Sequence, residues 1–313
     1  MPNSKSRKLT FGAMMIALFS ILLVLIVYVP VLNMVALLFA VLPIAWYSAT
    51  YDRPSSILVV IVGCIISFIL GGFTLLPIAF VLAVVGLVLG DAIRLKKSKL
   101  YVFMATSIAM LILTAVMYLI SVQFLAIDPI KESLDMTQDT YKEYNSFAKE
   151  MTGQAPISEK DITQMVEMLG YVIPAIVTLG AFFTTFIIIS VNLPLLRRFG
   201  IDVPKFAPFK DMRLPRSILW YYLIVLSISL FVSPETGSTL YVIIMNFSIV
   251  LWILFVMQGI SLLFYYIHEK QLPNMLKVVV VILSIPLYTF IMLIGILDLG
   301  FNIRSYITGK NQK

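Results

Sequence analysis

Apolar and polar residues follow one another along this chain in long blocks rather than in the short periods of a soluble fold. Nine apolar blocks stand out, at 9–28, 31–49, 57–70, 74–93, 101–124, 169–193, 217–232, 240–266 and 276–297. About 20 apolar residues in helical form cross a bilayer, and inside lipid only a helix pairs its backbone N–H and C=O groups within its own segment. The blocks therefore predict an all-α, polytopic bundle of nine transmembrane helices, the third of them short. Reading that third block as a re-entrant arm would reverse every later loop and move Arg94, Lys96, Lys97 and Lys99 outside. The charge pattern keeps it as a span.

Two polar interruptions divide the series. In the outer segment 125–168, Leu134, Tyr141, Ala148 and Met151 recur on one helical face, which predicts an amphipathic helix lying on the outer surface or capping the bundle. Ser158 and Asp161 have capping-box spacing and predict a second helix start, running on toward the sixth span with Pro174 as a kink site. The second interruption, 201–216, is a basic linker punctuated by Pro204, Pro208 and Pro215. The expected organisation is a six-helix unit over 1–200 that includes the external segment, then the linker, then a three-helix unit over 217–313.

Composition fixes the class. With 60% hydrophobic and 12% charged residues and a mean hydropathy of +1.00, the chain is neither a water-soluble globule nor disordered. A single cysteine, Cys64, and a single histidine, His268, exclude a disulfide framework and a Cys- or His-based metal site. No small-residue cleavage site follows the first block, so it is expected to stay attached as a span. With the N-terminus inside, 16 of the 23 basic residues fall in inner segments, whereas 125–168 holds nine acids against four lysines. That is the positive-inside pattern of a cell-membrane protein with a cytoplasmic N-terminus. The net charge of +7 is mostly this loop excess, suited to anionic head groups, and nucleic acid is not an expected partner. Nine spans leave Arg304, Lys310 and Lys313 outside, against the rule; eight spans with the tail inside is the alternative.

Candidate chemistry is sparse. His268 and Glu269 begin an HE pair, but Leu272 stands where HExxH needs its second histidine, and no glycine-rich loop leads into the Gly-Lys-hydroxyl sequence of a nucleotide-binding loop. No catalytic set, metal site or cofactor is expected. Asp91 is expected to pair with Arg94, while Asn192, Asn246 and Gln258 read as interhelical hydrogen-bonding groups. Small residues four apart let helix backbones approach closely. Gly63, Ser67 and Gly71, and likewise Gly86 and Gly90, are expected to pack helices internally, and Ala13 with Ala17 to dock a membrane partner.

These features resemble known families. The segment AMMIA (Ala13 to Ala17), the third helix ending in GGFTLLP (Gly71 to Pro77) and six helices with both ends inside resemble the S components of energy-coupling-factor (ECF) vitamin transporters. Over its whole length, with Gly295, Asp298, Phe301 and Arg304 near the end, the chain looks like the YybS family of bacterial integral membrane proteins. The S-component resemblance implies an outward pocket near Asn33, Thr74 and Gln123, and docking of a coupling subunit with its ATPases on Ala13 and Ala17. The last three helices have no counterpart there. Two functions follow as expectations: a non-catalytic membrane scaffold on an S-component-like fold, or the substrate-binding membrane subunit of an ECF-type small-molecule transporter.

Overall fold

A computed structural model describes residues 4–205 and 208–307, and the described residues form helices and no strand. In chain order these are α1 (Ser4–Tyr28), α2 (Asn33–Thr50), α3 (Arg53–Arg94), α4 (Lys99–Phe124), α5 (Pro129–Thr152), α6 (Glu159–Arg198), a 3-10 turn (Phe209–Asp211), α7 (Ser217–Phe231), α8 (Thr239–Glu269), α9 (Met275–Ser284), α10 (Tyr288–Phe301) and α11 (Ile303–Ile307). Six of them, α1 to α4, α6 and α8, are long and apolar enough to cross a membrane.

Helix α3 has 42 residues, which a straight rod would stretch to about 63 Å, twice the thickness of the hydrocarbon core. It is broken at Gly71 and Gly72. Gly72 has φ +58° and ψ −144°, a region that only glycine enters at little cost, so the two arms 53–70 and 73–94 match the third and fourth predicted spans. The last predicted span is corrected. Residues 276–297 are not one helix, because α9 and α10 are bent by 110° across the break that holds Pro286, whose ring cannot continue the ladder.

Two compact units result: 1–132 with 177–205, and 133–176 with 206–313. This differs from the expected division at residue 200, since most of segment 125–168 belongs with the C-terminal helices. In the first unit α1 buries Met15, Phe19 and Leu23, and the second arm of α3 lies so close on α2 that a Cβ on Gly90 would stand 2.4 Å from Ala45 O. Asn192, fully buried in α6, donates to Leu38 O of α2 at 2.8 Å. At the end where the inner loops are expected, Asp91 is held by Arg53 and Arg94, and Asp52 caps α3 through Ser55 while pairing with Lys8, which holds its carboxyl down at about 2.

In the second unit, α5 packs on the start of α6. Ser158 caps that helix by accepting from Asp161 N at 3.1 Å, as its spacing predicts, and Asn145 exchanges hydrogen bonds with Ile157. Tyr141 and Ala148 are half-buried, whereas Met151 of the same expected face is exposed. Helix α6 runs through Pro174 because Asn246 of α8 mends the ladder there. Its amide donates to Tyr171 O at 2.6 Å and accepts from Ala175 N at 2.6 Å.

Candidate functional site

The densest buried polar cluster of the second unit sits where α8, α10 and the basic linker meet. The meeting is close because both helices carry glycine at the contact: a Cβ on Gly259 would stand 2.1 Å from Ile291 O, and one on Gly295 2.0 Å from Phe255 O. Helix α10 then ends at Asn302 in the left-handed conformation (φ 49°, ψ 54°), which asparagine tolerates better than most residues. The chain reverses there and brings Arg304 back against Asp298.

Asp298 and Arg304 are 5% and 1% exposed. A charge in such a place is strongly unfavourable unless it is paired and hydrogen-bonded, and both conditions are met. Arg304 Nε donates to Asp298 Oδ2 at 3.1 Å, and Gln258 Nε2 donates to the same oxygen at 2.6 Å. The rest of the guanidinium faces the linker, with Nη1 donating to Lys210 O at 2.7 Å and Nη2 to Met212 O at 2.9 Å and Ser261 Oγ at 3.0 Å. Tyr265 lies against it, its ring centroid 5.4 Å from Cζ. Gln258 Oε1 accepts from Leu214 N at 3.0 Å. Residues 210, 212 and 214 are thus fastened, one after the other, to side chains of α8 and α11.

Fastening the linker leaves Arg213 and Arg216 at the mouth of a small cavity of about 110 Å³, which Gln258, Asp298 and Asn302 also line. Arg213 Nη1 donates to Asn302 Oδ1 at 3.4 Å. A larger cavity of about 270 Å³ lies between α7, α8 and α10, walled mainly by Tyr222, Val225, Trp252 and Met292, with the hydroxyl-bearing Ser229 and Ser248 also in its lining.

The family model described as "Predicted membrane protein (DUF2232)" matches residues 17–299. The chain belongs to that family. It is also 34% identical over 310 residues to "Uncharacterized protein YybS" of Bacillus subtilis (strain 168), with 97% of this chain and 99% of that protein covered. No solved structure matches. The YybS family membership read from the sequence is thereby shown, with its membrane architecture; the likeness to S components forms no part of either match.

The residues expected to line an outward pocket lie at the start of α2, in the second arm of α3 and near the end of α4. Asn33 is half-buried and donates to Ile26 O at 2.7 Å, closing the α1–α2 turn, while Thr74 and Gln123 are exposed. Neither cavity described above is lined by any of them. Gly63 and Ser67 are buried, Gly63 beside Phe19, and Ser67 Oγ donates to Gly63 O at 2.7 Å. Gly71 is at the break in α3, and Gly86 and Gly90 face α2. Ala13 and Ala17 are exposed together, opposite the buried face of α1.

In the sequence Gln258 reads as an interhelical hydrogen-bonding group and Asp298 with Arg304 as part of a shared ending, and no spacing joins the three. A signal was present: Asp298 is the one ionisable carboxyl in α10, in a helix otherwise apolar, and an arginine follows six residues later.

Proposed function

We propose that this protein is a non-catalytic, multi-pass scaffold of the cell membrane that holds another transmembrane helix against α1. The observation that supports the reading is the split of α1 into two faces. Gly12, Met15, Ile16, Phe19 and Leu23 are buried, while Ala13 and Ala17 lie exposed one turn apart among Met14, Leu18 and Ile21. Alanines exposed toward lipid give little packing of their own but leave room for a partner backbone to approach, and van der Waals contact of that kind is a main attraction between helices in a bilayer. The transporter reading is not carried forward, since Asn33 already has its amide engaged at a turn and neither cavity described above is lined by Asn33, Thr74 or Gln123.

The orientation belongs to the same proposal. With the N-terminus cytoplasmic, the chain crosses eight times through α1, α2, the two arms of α3, α4, α6, α7 and α8. Helices α9 and α10, bent by 110° at the break that holds Pro286, then enter and leave on one side as a re-entrant pair. Arg304 is tied to Lys210 O and Met212 O, so the C-terminal helix lies at the same membrane face as the basic linker. This supports the eight-span alternative over a tail outside.

Photo-crosslinking from positions 13 and 17 in intact membranes tests the docking face. A discrete protein adduct from both positions, absent when the other alanine is changed to leucine, is the expected result. Adducts to lipid alone would sink the reading. Because both alanines are exposed, the leucine variants should accumulate as the wild type does.

A further inference from the structure

The two cavities of the second unit lie at different depths along the same helices. The polar one is at the linker, beside Asp298, Leu299 and Asn302 at the end of α10. The apolar one includes Met292, which shares a helical stripe with Leu299 seven residues on and stands about 10 Å deeper. On α7 the same progression holds. Arg216 directly precedes the helix, and Tyr222, Val225, Leu226 and Ser229 of the apolar cavity recur on one face from about 9 to 20 Å beyond it. Half the hydrocarbon core is about 15 Å thick, so this groove runs down the acyl layer on the linker's side to about the bilayer midplane.

We infer that the second unit holds one anionic phospholipid, with its phosphate between Arg213 and Arg216 and an acyl chain in the α7–α8–α10 groove. Charge decides the head group. Asp298 is already neutralised by Arg304, so the arginines at the mouth leave the cavity positive, and guanidinium groups bind phosphate oxygens through paired N–H donors. Gln258 and Asn302 add polar side chains, and about 110 Å³ is the volume of some three to four waters, enough for a phosphate but not for a large sugar. The groove decides the rest: a free phosphate would have no use for an apolar wall two turns long. Arg304 is a positioning residue here, because its bonds to Lys210 O and Met212 O set where Arg213 stands.

The test is native mass spectrometry of the full-length protein after delipidation and titration with phosphatidylglycerol, with phosphatidylcholine of the same chains and inorganic phosphate as the other probes. The wild type should retain one phosphatidylglycerol, with phosphatidylcholine at least tenfold weaker. R213Q/R216Q should lose at least tenfold, and S229W, which fills the groove, should lose affinity for phosphatidylglycerol as well. R197Q/R198Q, an exposed arginine pair elsewhere, should bind as the wild type does. Equal retention in wild type and R213Q/R216Q overturns the inference, as does an equal loss in R197Q/R198Q, which would mean only diffuse surface charge. Displacement of the lipid by millimolar inorganic phosphate would overturn it too, by showing that the anion alone is the ligand.

Discussion

Asp298 and Arg304 show how a residue-scale pairing governs a segment. Arginine does not lose its charge, so the guanidinium must be solvated by protein, and here a carboxylate, two linker carbonyls, a hydroxyl and an aromatic ring do this. Arg304→Met should cost about 3–5 kcal/mol, because it leaves Asp298 buried without its cation and releases the linker. Replacing both, as D298L/R304M, should recover part of that loss, since an apolar pair of similar size needs no solvation. Unfolding of the purified variants in mixed micelles measures both. A double variant no more stable than R304M would show that the linker carbonyls, not Asp298, are the partners that matter.

At the scale of elements, glycine sets how near two helices come. Gly295 has Phe255 O where a Cβ would be, at 2.0 Å, so α10 cannot keep its place on α8 with any larger residue. Gly180 in α6 has nothing within 4 Å of the same position. G295A is expected to destabilise by about 1–3 kcal/mol through overpacking, and G180A to be neutral or stabilising by up to about 1 kcal/mol. Equal thermal midpoints for the two variants would contradict the contact. Neither glycine is distinguished by its sequence neighbours. Gly86 and Gly90 are legible as a spaced pair, whereas Gly259 and Gly295 lie 36 residues apart on different helices, so that only the fold makes them one contact.

For the whole molecule, the proposed eight-span topology rests on the break between α9 and α10. In a background without Cys64, cysteine at position 97 and at position 306 should react only with membrane-permeant reagents in intact cells, and cysteine at position 144 with impermeant ones. Tyr144 and Tyr306 are both exposed, so accessibility within the protein does not limit the measurement. Labelling of position 306 from outside would restore the nine-span arrangement and reject the re-entrant pair. Helix α5 is a second example at this scale. Its spacing gives an amphipathic helix, but its place in the unit of the C-terminal helices runs through distant contacts: Leu134 meets Gly170 in the N-terminal part of α6, and that part of α6 is tied to α8 by Asn246.

The sequence by itself determined the membrane class, the helical blocks and the cap at Ser158, because these depend on composition and on residues within a few positions of one another. It also placed the break after the third span, where two adjacent glycines meet a length limit set by the bilayer. The tertiary structure alone decided how far the last apolar run bends at Pro286 and that Asn246 mends α6 at Pro174. It also brought Gln258, Asp298, Arg304 and the linker into one cluster. The reason is that a buried polar group takes whatever partner the fold brings within about 3 Å, and no local rule of spacing tells which distant segment that will be.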